Sequence, residues 1–164
     1  MTTWEFDEFY ESYFDRVARA LALAGGDRDL AHDAAQEAFA RALRQWRKVR
    51  EMGRPDGWVY VVAMNHMRDH WRRTARRRGR SPDPGYAADN TSAVATRLSV
   101  RDAIETLPPR QREAVVLRYL ADLPLADVAA AMECATGTVK ATLHQAMVNM
   151  RIELDDSEDD DEPR

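Results

Sequence analysis

Hydrophobic residues recur every three or four positions along the chain, and no segment alternates with period two for long. This spacing predicts a protein built from helices. The predicted helices cover residues 7–24, about 28–48, 94–106, 109–120, 124–132 and 136–154. Another predicted helix, the third along the chain, starts near residue 55 and continues into the cluster of arginines that follows. Gly25 and Gly26 are typical of a helix end. Asp27 or Asp29 can cap the second helix, and Pro55 suits the first turn of the third.

Residues 79–93, GRSPDPGYAADNTSA, contain two glycines and two prolines and show no apolar periodicity. They therefore predict a flexible linker between two groups of helices. After the linker, a short helix, a tight turn and a longer helix are typical of a helix-turn-helix. We expect an all-α protein of two small helical domains, over 1–78 and 94–154, with the helix-turn-helix in the second.

Charge is distributed unevenly along the 164 residues, whose net charge is -4. The last ten residues, 155–164, carry seven acidic groups and one arginine, so the rest has 23 basic and 21 acidic residues, a net charge of +2. Such an acidic segment cannot pack a core, which predicts a disordered tail. The stretch RDHWRRTARRRGR, residues 68–80, instead holds seven arginines. Their planar, permanently charged groups suit phosphate ligands.

Several classes of protein are disfavoured. The longest apolar run, 58–64, is far shorter than the roughly 20 residues that span a bilayer. The N-terminus is acidic, unlike a signal peptide, and the single Cys134 excludes an internal disulfide, so we expect a cytoplasmic protein without membrane insertion. His66 and His70 have metal-ligand spacing, but no further ligand matches them. We expect no metal, no cofactor and no enzymatic activity, since no catalytic pattern occurs.

The third helix has two different faces when it is drawn at about 100° per residue. One face is apolar and predicts core. The opposite face and its flanks combine an aromatic ring, an amide and several cations: Trp58, Asn65, Arg68, Arg72, Arg73 and Arg76. Single-stranded DNA requires cations for phosphates, planes for stacking and an amide for a base edge. The alternative is a charged, solvated surface with a half-buried tryptophan.

Four motifs resemble, in order and spacing, those of bacterial sigma factors of the extracytoplasmic-function group. They are DAAQEAF (33–39), GWVYVVAMNHMRDHWRR (57–73), LPPRQREAVVLRYLADLPLADVAAAM (107–132) and GTVKATLH (137–144). The resemblance covers nearly the whole chain except the linker and the tail. It implies a subunit that binds core RNA polymerase and directs promoter recognition and transcription initiation.

The resemblance also implies roles for individual residues. Contact with the clamp of core polymerase would involve Asp33, Gln36, Glu37 and Phe39. His32 stands where relatives usually have an acidic residue. The third helix would open and read the minus-ten element of promoter DNA, with Trp58, Asn65 and the arginines near a flipped base. The helix from Thr136 would enter the major groove at the minus-thirty-five element.

The second domain departs from the family pattern at its turn. Met132-Glu133-Cys134-Ala135 replaces a typical Leu-Gly-Cys-Ser, and losing glycine at a left-handed helix end costs about 1 kcal/mol. The outward side of the last helix is nearly uncharged. The candidate residues for the minus-thirty-five element are Arg112, Thr138, Lys140, Thr142, His144 and Gln145.

Two interpretations of that last helix stay open: a weak DNA reader, or a face that binds a protein such as an anti-sigma factor. Two alternatives to the whole function stay open with it. One is a DNA-binding regulator that never joins polymerase. The other is an interaction protein of sigma fold that titrates an anti-sigma factor.

Overall fold

The computed structural model describes residues 5–79 and 99–159, with side chains through Arg151. Within these residues the chain forms helices and no strand, as the periodicity predicted. The first helical group comprises α1 (Phe6–Gly25), α2 (Arg28–Arg44), α3 (Trp46–Val49) and α4 (Pro55–Arg77). The second helical group comprises α5 (Val100–Thr106), α6 (Pro109–Val115), a π-helical turn (Val116–Leu120), α7 (Leu125–Met132) and α8 (Thr136–Asp159).

The helix boundaries of the first group follow from the residues that were expected to set them. Gly26 adopts φ 72° and donates its N–H to the Ala22 carbonyl oxygen at 2.8 Å, which closes α1. The Asp27 carboxylate then accepts a hydrogen bond from the Leu30 N–H at 3.0 Å and caps α2. Pro55 is the first residue of α4. The second predicted helix ends early, however, because the chain breaks at Gln45 before the short α3.

Aromatic side chains hold α1, α2 and α3 together. The Phe9 ring lies 5.5 Å from that of Phe39 and 5.1 Å from that of Trp46, between centroids. Phe14 packs on Phe39 from the other side at 5.5 Å. All four side chains are buried. Rings of this size contribute much of the apolar area that stabilises a small helical core.

The second group shows where local backbone chemistry sets the turns. Ser99 and Asp102 form a capping box at the start of α5. The predicted helix over 109–120 is divided, because a π-helical turn follows Val115. Glu133 closes α7 at φ 53°, the left-handed conformation that was expected at this non-glycine position.

α8 continues to Asp159, and the disorder expected for residues 155–164 stays a prediction. Extending an existing helix forms one hydrogen bond for each residue added, which is easier than starting a new one. The rest of the tail, 160–164, and the predicted linker from residue 80 onward lie outside the described residues, as does the predicted helical stretch 94–98.

The two helical groups pack against each other, which the sequence pattern did not predict. α4 lies on α7, and α1 lies on α6 and the π-helical turn. The approach is close at Gly57, where a Cβ atom would be 3.2 Å from a carboxylate oxygen of Asp127 and 3.5 Å from a methyl carbon of Leu123. The first turn of α4 therefore packs directly against the second helical group. Among the described helices, none is long and apolar enough to cross a membrane.

Candidate nucleic-acid and polymerase interface

The outward face of α2 carries three of the four residues expected at a polymerase contact. Asp33 and Gln36 are exposed and Glu37 is half-buried. Glu37 is already paired within the helix, with its carboxylate 2.8 Å from the Arg41 Nε atom and 3.6 Å from Arg44. The hydrogen bond from Arg41 is the main cause that lowers the pKa of the Glu37 carboxyl. Glu37 therefore keeps its negative charge over a wider acidic range.

Phe39 lies elsewhere, with 1% of its surface exposed. It belongs to the aromatic core between α1 and α2, so in this arrangement it orients α2 and is not on the outward face. Leu43 follows the apolar spacing of α2 and is nevertheless 55% exposed. It stands seven residues after Gln36, two helical turns along the same face. The outward face of α2 is thus a row of polar residues with one apolar side chain at its end.

The candidate DNA face of α4 is divided by the packing of the second group. Arg73 and Arg76 are exposed, Trp58 and Asn65 are half-buried, and Arg68 is 8% exposed. The Asn65 Oδ1 atom is buried and makes no hydrogen bond within the described part of the chain. A buried amide oxygen without a partner is uncommon in folded proteins and calls for an explanation.

Arg68 reaches across the interface between the two groups. Its guanidinium donates to the Ala131 carbonyl oxygen and to the Glu113 carboxylate, and both side chains of the ion pair are buried. The Glu113 carboxylate also accepts from Arg110 at 3.3 Å, and Arg110 donates to the Met132 carbonyl oxygen at 2.9 Å. Burial raises the pKa of the Glu113 carboxyl, although the charges of Arg68 and Arg110 oppose the rise.

Two more arginines of the first group contact oxygens of the second. Arg72 donates to the Glu133 carboxylate, and both side chains are 41% exposed. Arg54, just before α4, donates to the Asp122 carbonyl oxygen and to the Asp56 carboxylate, the latter at 2.8 Å. The interface is therefore rich in arginine–oxygen contacts along one side of α4.

The candidate residues on α8 are arranged differently. Thr138, Lys140, His144 and Gln145 are exposed. Thr142 is half-buried, and its hydroxyl donates to the Thr138 carbonyl oxygen at 2.8 Å. Met147 is 39% exposed and Val148 is 42% exposed. The outward face of α8 is open, nearly uncharged and partly apolar.

Arg112 does not share the outward face of α8. It is 3% exposed, and its guanidinium donates to the Glu105 carbonyl oxygen at 3.5 Å within the second group. The residues missed by sequence reasoning are Glu113, Glu133 and Arg54. Carboxylates and arginines of an interface have no apolar periodicity, so helical pattern analysis treats them as solvated.

Both helical groups match family models. Residues 9–77 match the model described as Sigma-70 region 2, and residues 97–150 match the model described as Sigma-70, region 4. The chain is also 31% identical over 154 residues to the RNA polymerase sigma-E factor of Streptomyces coelicolor, covering 92% of this chain and 86% of that protein. The chain belongs to the sigma-70 family.

Other relatives place this sigma factor in the extracytoplasmic-function (ECF) group. The ECF RNA polymerase sigma factor SigM of Mycobacterium tuberculosis is 29% identical to it, covering 90% of this chain and 76% of that protein. The ECF factor BldN of Streptomyces coelicolor is also 29% identical. Members of this family are transcription initiation factors, so the chain binds core RNA polymerase and directs promoter recognition.

Solved structures support the fold. The sigma factor RpoE from Bartonella quintana, in complex with the anti-sigma factor NepR, superposes with a TM-score of 0.68 at 19% identity, covering 91% of this chain and 95% of that one. CnrH, in complex with the cytosolic domain of CnrY, gives a TM-score of 0.56 at 20% identity over 92% of this sigma factor and 87% of that chain. The helical arrangement of both groups is thus that of known sigma factors.

Proposed function

We propose that this sigma factor docks on core RNA polymerase through the outward face of α2. The observation that carries the proposal is the exposure of Asp33 and Gln36 on the same face as Leu43, because exposed apolar and polar side chains side by side are typical of a protein interface. Glu37 extends this surface by one charge. Phe39 supports it from inside the core.

Replacing Glu37 tests this assignment. Glu37→Arg places a third cation beside Arg41 and Arg44 and removes an acceptor from the surface, so we expect loss of core polymerase in a pull-down while circular dichroism stays unchanged. The matched control is Glu11→Arg, which makes the same charge change at an exposed position of α1. Undiminished binding of Glu37→Arg would mean that polymerase docks elsewhere.

We propose that α4 binds the opened minus-ten element through Trp58, Asn65, Arg68, Arg72, Arg73 and Arg76. The arginines supply charge for phosphates, and Trp58 offers a plane on which a base can stack. Asn65 adds an amide, a group that can pair with a base edge. Asn65→Ala should reduce promoter opening without changing its salt dependence, because an amide releases no counterion.

We propose that α8 contacts the minus-thirty-five element through Thr138, Lys140, His144 and Gln145, with Thr142 at the margin of this face. One lysine and several uncharged groups give few phosphate contacts and no charged fork for guanine. The contact is therefore weak, and α4 supplies much of the promoter affinity. Arg112 acts from within the second group by holding α6 to the end of α5.

An anti-sigma factor is a second candidate partner of α8. The exposure of Met147 and Val148 favours it, because apolar side chains on an open helix face suit a protein surface better than a DNA groove. The solved sigma factor RpoE described above is bound to the anti-sigma factor NepR. Val148→Ser should weaken such an association while leaving the affinity for duplex DNA nearly unchanged, because the change removes apolar surface and adds no charge.

We further infer that the protein has no catalytic activity of its own and acts in the cytoplasm, where core polymerase is found. Its two domains would extend over 1–78 and 94–154. Co-purification with core polymerase distinguishes this function from a DNA-binding regulator that stays apart from polymerase and from a protein that only titrates an anti-sigma factor.

A further inference from the structure

We propose that Asn149 and Gln111 are positioning residues that hold the Gln145 amide ready to read an adenine in the major groove. This inference deepens the proposed role of α8 at the minus-thirty-five element and rests on it. Its physical basis is a chain of three side-chain amides that runs from the outward face of α8 to α6.

The hydrogen bonds of this amide chain all point the same way. The Gln145 Nε2 atom donates to the Asn149 Oδ1 atom at 3.2 Å, and the Asn149 Nδ2 atom donates to the Gln111 Oε1 atom at 2.7 Å. Gln145 is exposed, whereas Asn149 and Gln111 are half-buried between two helices that pack together, α8 and α6. The exposed amide is therefore tied through Asn149 to a second helix of the same group.

The direction of the chain decides which groups Gln145 has left for a ligand. A side-chain amide carries two N–H donors and one carbonyl acceptor. Gln145 gives one N–H to Asn149, so its second N–H and its Oε1 atom remain. Adenine presents one donor and one acceptor in the major groove, at N6 and N7, whereas guanine presents two acceptors. The remaining groups of Gln145 therefore match adenine and leave one acceptor of guanine without a donor.

Two neighbouring side chains of α8 lack this combination. The Thr142 hydroxyl donates to the Thr138 carbonyl oxygen at 2.8 Å, so it has only lone pairs to present. Lys140 carries N–H donors and no acceptor. Of these three neighbours, Thr142, Lys140 and Gln145, only Gln145 keeps a donor and an acceptor on one group.

Holding the amide in place also reduces the entropy that is lost on binding. Fixing a side chain with several rotatable bonds at an interface costs free energy and lowers affinity. Gln145 and Asn149 stand four residues apart on α8, the spacing at which helical side chains meet. Their hydrogen bond restricts Gln145 before DNA arrives. Without it, the cost of fixing Gln145 would fall only on the sequences with which Gln145 pairs, so the preference for adenine would decrease.

The experiment measures base preference with the full-length chain. The probe is a library of short DNA duplexes with a randomised central stretch, and sequencing of the bound fraction gives the preference at each base pair. Gln145→Ala identifies the base pair that Gln145 reads. Asn149→Leu is similar in size to the wild type and cannot form the hydrogen bonds, so it should lower the preference for adenine at that base pair by about threefold to tenfold.

Two further variants accompany Asn149→Leu. Gln111→Leu removes the inner end of the amide chain and keeps the test valid if Asn149→Leu is unstable. Gln45→Leu makes a comparable change at an exposed position between α2 and α3 and should leave the base preference unchanged.

A double variant separates positioning from a merely structural role. In a Gln145→Ala background, Asn149→Leu should change the base preference no further, because the two changes act through one contact. Asn149→Asp should keep the preference, since a carboxylate oxygen still accepts the Gln145 N–H. An Asn149→Leu loss that spreads evenly over all base pairs, or that persists in the Gln145→Ala background, would overturn the proposal.

Failure of this inference and failure of the proposed role of α8 give different results. If Gln145→Ala removes a preference that Asn149→Leu and Gln111→Leu leave intact, Gln145 reads DNA without being positioned and the inference alone is wrong. If Gln145→Ala changes no preference while Lys140→Ala lowers the affinity for duplex DNA, the inference is again wrong and α8 still contacts DNA. If neither of these two variants changes binding, the proposed role of α8 fails as well.

Discussion

The faces of α4 and α8 that are proposed to meet promoter DNA are opposites in charge and in exposure. α4 carries a dense row of arginines, and the second helical group covers half of it through Glu113 and Glu133. α8 carries a single lysine on its outward face, and nothing in the described part of the chain covers it. The strongly cationic surface is held closed and the weakly charged surface is open.

This contrast has a physical reason. Arginine-rich surfaces bind any nucleic acid through phosphates, without regard to sequence. The carboxylates of Glu113 and Glu133 bond N–H groups of Arg68 and Arg72, which are of the kind that bind phosphates. A nearly neutral helix face offers few such groups. The two faces thus differ in charge and in how much of each is covered in this structure.

Reversing the charge of Arg68 should produce the largest effect. Arg68→Glu places two carboxylates in one buried site, and an uncompensated buried charge costs about 3–5 kcal/mol. The chain should escape that penalty by opening, so small-angle scattering should show an expanded particle while circular dichroism keeps its helical signal. Adding Glu113→Arg should restore part of the compactness. A compact Arg68→Glu variant would show that the pair does not hold the interface.

Adding positive charge to the outward face of α8 should have the next largest effect. Thr142→Arg with Gln145→Arg should tighten binding to a minus-thirty-five duplex by roughly 1–3 kcal/mol per well-placed pair, with a steeper dependence on salt. The face is open, so the full chain can be titrated directly. Ala126→Arg with Ala130→Arg, at two exposed positions of α7, controls for the two added charges. Equal affinities in all three proteins would mean that α8 does not face the groove.

Replacing Glu133, whose backbone is left-handed, should have a smaller effect, on both the stability of the fold and the affinity for single-stranded DNA. Glu133→Gly should stabilise the fold against denaturant by about 1 kcal/mol, while removing the partner of Arg72 and raising single-strand affinity. Asp122→Gly is the matched control, because Asp122 also has φ 53° and bonds Arg54 through its backbone carbonyl. It should gain stability without gaining affinity. If both gain affinity alike, net charge rather than the contact is responsible.

The smallest expected effect concerns how DNA binding by α4 depends on salt concentration. Arg72→Ala should flatten the slope of log affinity against log salt by about 0.7 for a single strand. Arg19→Ala, at an exposed position of α1, serves as a control for the loss of one charge. Fluorescence titrations at several salt concentrations measure both slopes. An unchanged slope for Arg72→Ala would place this arginine away from phosphates.

Much of the fold could be predicted because helices leave a strong periodic signal. The end of α1 at Gly26, the cap at Asp27 and the start of α4 at Pro55 follow from local backbone chemistry. The left-handed turn at Glu133 was expected from the family resemblance, because relatives typically have a glycine at this position. The break at Gln45 and the π-helical turn were missed, because neither interrupts the apolar spacing.

The relation between the two helical groups could not be predicted. Apolar periodicity identifies the face of a helix that meets its own core, whereas α4 meets the second group through Arg68, Arg72 and a small glycine. Leu43 and Met147 follow the apolar spacing of their helices and are nevertheless exposed. An apolar residue at the margin of a stripe can face either the core or a partner. Phe39 is buried and supports the proposed polymerase-binding face from inside the core, whereas the exposed Asp33 and Gln36 form that face.

Run-off transcription tests the central comparison most directly. Core polymerase with this sigma factor should initiate from a shared set of sites in a library of genomic fragments. We expect Asn65→Ala on α4 to lower initiation greatly at most of these sites, whereas Gln145→Ala on α8 should lower it only modestly. Full initiation by Asn65→Ala together with loss of initiation by Gln145→Ala would show that α8, and not α4, dominates promoter recognition.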